Sequence, residues 1–172
     1  MIGSPLKRIL LVALCVWLGD RITKLLILGT LDYTQQKVIV NGFFKLVHWG
    51  NTGAAWSLFH GNNGLLALIS LIALGALLLN HRHFDSHTFL GQVALGLMLG
   101  GIMGNLMDRI TIGHVIDFLY FYIRLRGGEE IGFPAFNVAD AAICTGVALI
   151  FLLSVRGGMR AAPPSSTPLK ST

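Results

Sequence analysis

Charge is scarce in this chain. Only 12% of its 172 residues are Asp, Glu, Lys or Arg, against ~25% in ordinary soluble domains. Hydrophobic residues make up 53% of the chain, and mean hydropathy is +0.68. These values exclude a typical soluble globular domain and indicate an integral membrane protein. Basic runs interleaved with aromatics are missing, so the net charge of +5 is no nucleic-acid footprint. It suits orientation in a bilayer and contact with lipid headgroups. Cysteine is nearly absent: Cys15 and Cys144 lie in apolar stretches without Cys-x-x-Cys spacing. Buried small hydrophobes fit them better than a metal or disulfide role. No lipidation motif is present. The chain has no G-x-S-x-G, H-E-x-x-H or G-x-x-x-x-G-K-[ST] motif and no long-period repeat, so the chemistries those motifs carry have no support.

What is present is a set of four apolar segments, at about 9–28, 61–80, 88–107 and 139–156. Twenty residues at ~1.5 Å each cover the ~30 Å hydrocarbon core. The start, "SPLKRILLVALCVWLG", is basic then apolar like a signal peptide; further spans follow it, so it reads as a retained first helix. Residues 1–156 read as one membrane domain and 157–172, rich in Pro and Ser/Thr, as a disordered tail. Lys7 and Arg8 precede the first span, Arg156, Arg160 and Lys170 follow the fourth, and Arg82 lies between the second and third. The positive-inside rule then places both termini in the cytoplasm.

The two remaining connections, 29–60 and 108–139, fall on the outer side. "VIVNGFFKLVHWG" and "HVIDFLYFYIRL" are β-branched and aromatic, with turn signals around them. Backbone is not tolerated unpaired in lipid, so they are expected to pair as a small sheet at the outer interface. The expected fold is an α-helical membrane protein with four transmembrane helices and a small extracytoplasmic β-sheet.

Polar groups break the apolar pattern at one boundary. Asp20 and Lys24 stand four apart and share a helix face, as a structural ion pair or as part of a site. Gly96, Gly100 and Gly104 form a close-packing stripe. Asn105, Asp108 and Arg109 follow on one face; Asp108 and Arg109 either pair to anchor the helix end or serve a site. Asp117 in "VIDF" and Asp140 in "FNVAD" lie beyond one helix's reach but on the same side. Two close carboxylates in a low dielectric cannot both ionise, which yields an acid and a base. That pair suits aspartic proteolysis; the alternative is separate roles, with Asp140 capping the fourth helix. Asn51 and Asn137 add amides that hold a peptide or a carboxylate, or simply form turns. His114 is close enough to Asp117 in sequence to tune it. His81, His83 and His87 cluster in the short inner connection, where a solvated loop fits better than a metal site.

"DRITK" at 20–24, "NTGAAW" at 51–56, "GNLMDR" at 104–109, "VIDF" at 115–118 and "FNVAD" at 136–140 together resemble the signature blocks of the bacterial lipoprotein signal peptidase (signal peptidase II) family. The resemblance implies an intramembrane aspartic endopeptidase of the inner membrane. It would remove the signal peptide from diacylglyceryl-modified prolipoproteins just before the lipidated cysteine. It implies Asp117 and Asp140 as the catalytic dyad. Asn51, Asn105, Arg109 and Asn137 would support the site and hold substrate or a peptide-like inhibitor such as globomycin. Asp20 and Lys24 match the family's structural polar pair, and Asp108, within the third block, is taken as a further supporting residue. No metal or organic cofactor is implied, and a monomer among membrane lipids is expected. One departure stands out: the family usually has Gln where this chain has Arg21. A small ion-coupled transporter is the rival reading, but it lacks the expected repeat and midplane polar groups. A non-catalytic scaffold would tolerate loss of either aspartate.

Overall fold

The computed structural model describes residues 5–53, 61–81 and 88–161, with side chains described as far as 156. Its elements are α1 (Pro5–Thr30), β1 (Gln36–Val40), β2 (Phe44–Asn51), α2 (Asn63–Asn80), α3 (Phe89–Thr111), β3 (Val115–Arg124), β4 (Glu130–Gly132) and α4 (Val138–Ala161). Each apolar segment became a helix. α3 continues past the expected end at 107 through Asp108 and Arg109 to Thr111, so these charged residues belong to its last helical turns. α4 reaches Ala161, so residues 157–161 of the tail expected to be disordered are helical; its remainder, 162–172, lies outside the described residues.

α2, α3 and α4 are long and apolar enough to cross a membrane. α1 has 26 residues but carries Asp20, Arg21 and Lys24 in its second half. On α2, Leu68, Leu71, Ile72 and Leu79 are exposed, an apolar surface that only lipid or another apolar partner suits. α3 is the central helix, packed between α1 and α4 with α2 against its remaining side. Ile9, Leu77, Leu95, Leu99 and Ile102 form the core. The glycine stripe of α3 meets a close neighbour as expected, and that neighbour is α1. A Cβ at Gly96 would lie 2.5 Å from Val12 Cβ, and one at Gly104 2.5 Å from Asp20 Oδ2. Helix α3 starts with Thr88, whose side chain accepts from the Gly91 N–H at 3.0 Å, a normal N-cap.

Residues of the connections 29–60 and 108–139 form the expected sheet, four antiparallel strands in the order β1-β2-β3-β4. The β1–β2 turn uses Gly42 at φ 75°, where glycine carries no Cβ penalty. Tyr122 ties this turn down, its hydroxyl accepting from the Gly42 N–H at 3.0 Å. The register changes inside β2–β3: Leu46 pairs with Leu119, but Trp49 pairs with Asp117. Three steps on β2 therefore oppose two on β3, a bulge around Val47 and His48. A single extra residue flips every later side chain to the other face. Without it, Asn51 would face away from Asp117. With it, Asn51 opposes Val115 and shares the face of Asp117.

Candidate active site

Four elements deliver polar side chains to one cavity of about 850 Å³. β2 brings Asn51, α3 brings Asn105 and Arg109, β3 brings Asp117, and the start of α4 brings Asp140. Leu66 and Ile69 of α2, Ile143 and Cys144 of α4, and the 133–136 segment supply apolar walls.

Asp117 is held by two amides. Asn51 Nδ2 donates to its Oδ2 and Asn137 Nδ2 to its Oδ1, each at 2.9 Å. Asn51 is itself fixed, its Oδ1 accepting from the Gly53 N–H at 2.9 Å. Asp117 is only 3% exposed, and its carboxyl is pushed up to about 7. Burial is the main cause and the neighbouring Asp140 charge the second; the two amide bonds and Lys24 work against them.

Asp140 occupies both positions that the sequence left as alternatives, a cap on α4 and a place on the cavity wall. Its backbone N–H donates to Asn137 Oδ1 at 2.9 Å, and its Oδ2 accepts from the Asn137 N–H at 3.2 Å. This is a capping box, with Asn137 as N-cap and Asp140 three residues on. The other oxygen, Oδ1, accepts from Asn105 Nδ2 at 2.7 Å. Asp140 therefore caps α4 and still faces the cavity. Asn137 is fully buried and touches both carboxyl-bearing residues, so it sets their relation.

Behind this pair lies a buried ionic cluster. Lys24 Nζ sits 2.7 Å from Asp20 Oδ2 and 2.7 Å from Asp108 Oδ2, and reaches Asn105 Oδ1 at 3.2 Å. Lys24 and Asp108 are both 0% exposed. Asp20 Oδ1 accepts the Ala139 N–H at 3.0 Å, so α1 also caps α4.

Two expectations from the sequence are corrected. Asp108 and Arg109 do not pair with each other. Adjacent helical residues point about 100° apart, and Asp108 turns to Lys24 and Arg21 while Arg109 turns to the cavity. There its Nη2 donates to Gly53 O at 2.8 Å and its Nη1 to Asn63 Oδ1 at 3.2 Å. His114 does not tune Asp117; it packs edge-on against Tyr33, with ring centroids 6.4 Å apart. It lies in the bend before β3, just after Gly113, and its ring turns to Tyr33 rather than to the cavity.

Sequence reasoning missed Asn63 as the partner of Arg109, and Arg21 as the second partner of Asp108, at 2.9 Å. A charge at position 21 inside a span was the available signal for the latter. His81 Nδ1 lies 2.8 Å from Leu78 O, whereas His83 and His87 fall outside the described residues, as do Ala54, Ala55 and Trp56. Among the described residues no group of three His, Cys, Asp or Glu side chains is placed to hold a metal ion.

Comparison with known proteins gives a consistent result. The signal peptidase (SPase) II family matches residues 12–156. A lipoprotein signal peptidase of Geobacter sulfurreducens is 39% identical over 147 residues, covering 84% of this chain and 89% of its own. That of Bacillus subtilis is 34% identical over 143 residues, covering 83% and 89%. A solved bacterial membrane enzyme superposes with a TM-score of 0.77 at 28% identity, covering 100% of this chain and 96% of its own. A second gives 0.72 at 30% identity, covering 91% and 95%. With its apolar helices, its small sheet and its polar cavity, this chain belongs to the signal peptidase II family, the membrane proteases of bacterial lipoprotein processing.

Proposed function

We propose that the chain is an aspartic endopeptidase that cleaves diacylglyceryl-modified prolipoproteins just before the lipidated cysteine. The observation that carries this reading is the placement of two buried carboxylates, Asp117 and Asp140, on one cavity and on one asparagine, Asn137. One carboxylate takes a proton from water as the oxygen attacks the scissile carbonyl carbon. The other, protonated, gives its proton to the carbonyl oxygen. Collapse of the tetrahedral intermediate re-forms the C=O, breaks the C–N bond and returns a proton to the leaving amine. Asn51, Asn105 and Asn137 hold the two carboxyls still, which removes reorganisation from the reaction. Arg109 lies on the cavity wall where a substrate carbonyl or a globomycin-like peptide can be held.

In this reading all four helices span the inner membrane as one domain. Both termini are cytoplasmic, the sheet and site lie near the outer face, and the protein works as a monomer among lipids without a cofactor. α1 spans despite its charges because Asp20 and Lys24 neutralise each other inside the bundle. A signal helix would enter laterally between α2 and α4, which flank the cavity.

The test is cleavage of a purified prolipoprotein, with and without its diacylglyceryl group, followed by mass spectrometry of the new N-terminus. The reading requires a product beginning at the lipidated cysteine. Cleavage elsewhere, or of the unlipidated form alone, refutes it. The pH profile has a required sign. The pair works with one proton, so activity falls as pH rises through the raised Asp117 value near 7. Asn51→Ala removes a donor that favours the charged form of Asp117. The proton is then held to higher pH, so the basic limb of the profile moves upward; an unmoved or lowered limb contradicts that role.

A further inference from the structure

The ionic cluster behind the site is wired to both aspartates through the residue before each. Asp20 accepts the N–H of Ala139, next to Asp140, at 3.0 Å. Asp108 Oδ2 accepts the N–H of Ile116, next to Asp117, at 3.4 Å. Lys24 joins the two carboxylates at 2.7 Å each and also touches Asn105, which donates to Asp140. With Lys24 as their sole cation, Asp20 and Asp108 would leave one net negative charge buried among apolar helices. Arg21 supplies the missing positive charge through its 2.9 Å contact with Asp108 Oδ1. It also occupies that oxygen, so Oδ2 is the atom left for Lys24 and the Ile116 N–H. Arg21 is 29% exposed at its side chain while Asp108 is fully buried, so it closes the cluster from outside.

We propose that Arg21 is a positioning residue for the aspartate pair, acting through Asp108 on the start of β3. It neutralises the cluster and leaves Lys24 equidistant from Asp20 and Asp108 at 2.7 Å, and within reach of Asn105 at 3.2 Å. Without it, the full charge of Asp108 draws on Lys24 alone. Lys24 then leaves Asn105 Oδ1, and Asn105 and the Ile116 N–H lose their fixed geometry. The kinetic part of this inference rests on the peptidase reading; the structural part does not.

The experiment compares wild type, Arg21→Gln and Arg21→Lys in lipid-supplemented detergent. Amide hydrogen exchange is followed in the peptide covering 115–118, and kcat and KM are measured on lipidated prolipoprotein. For Arg21→Gln the expected result is about tenfold faster exchange at Ile116 and a kcat lowered about 5- to 20-fold, with KM within about twofold. Arg21→Lys keeps a cation beside Asp108 and stays near wild type in both. The proposal is overturned if the Gln variant matches wild type in exchange, if KM rises while kcat holds, or if the Lys variant loses as much as the Gln variant. Should wild type itself fail to cleave, the exchange result still decides the role of Arg21, and the peptidase reading is what falls.

Discussion

Replacing either Asp117 or Asp140 with Asn abolishes cleavage, with an expected loss of ~10³-fold or more. The proposed reaction needs a carboxylate that takes a proton and a carboxylic acid that gives one, and an amide does neither at the reacting atoms. The substitution is nearly isosteric, so the fold survives at a calculable cost. Both oxygens of Asp117 accept from amide nitrogens, at Asn51 and Asn137. Both oxygens of Asp140 accept as well, from Asn105 Nδ2 and the Asn137 N–H. An Asn at either position therefore sets one –NH₂ against another donor, which costs about 1–3 kcal/mol. The check is a gel-shift cleavage assay beside thermal unfolding in detergent. The aspartic reading requires both variants to stay folded and inactive. Retention of wild-type rate in both would remove the dyad.

Lys24→Met is expected to destabilise the fold by about 3–5 kcal/mol, the usual consequence of leaving a buried charge uncompensated. Lys24 is fully buried between two carboxylates at 2.7 Å. Met fills the space but leaves Asp20 with no cation in contact; Arg21 remains for Asp108 alone. The double variant Asp20→Asn, Lys24→Met should recover much of the loss, because Asn keeps an oxygen for the Ala139 N–H and no charge is orphaned. The measurement is the thermal midpoint of the three proteins in one detergent. A single variant as stable as wild type, or a double variant less stable than the single, contradicts this account. The effect exceeds that of a surface ion pair, worth about 0–1 kcal/mol, because Asp20 and Lys24 are both buried.

The helices and strands were legible in the sequence because their signals are local. Hydropathy over twenty residues marks a helix wherever its neighbours lie. "VIVNGFFKLV" carries its own turn, and the α3 glycines announce a close neighbour without naming it. The polar blocks were legible for a second reason: ionised groups in an apolar chain are costly, so their presence already requires a partner. Sequence order put Asp20, Asn51, Asn105, Asp117, Asn137 and Asp140 at one end of the bundle.

Which partner each group takes was decided by packing. Asp108 and Arg109 are neighbours in the chain, yet one joins the ionic cluster and the other the cavity, because helix rotation separates them and α1 offers Lys24 and Arg21 on one side only. Asp140 looked like either a cap or a site residue. The capping box with Asn137 uses its backbone N–H and one oxygen, leaving the other for Asn105. Asn51 reaches Asp117 only through the bulge at Val47 and His48, which no alternation of residues announced. By itself the sequence determined the elements, the family and the stock of polar groups, since these follow from local hydropathy and residue type. The tertiary structure decided the pairings, since contacts such as Arg21–Asp108 and Asp20–Ala139 join residues 87 and 119 positions apart, and only packing fixes such distances.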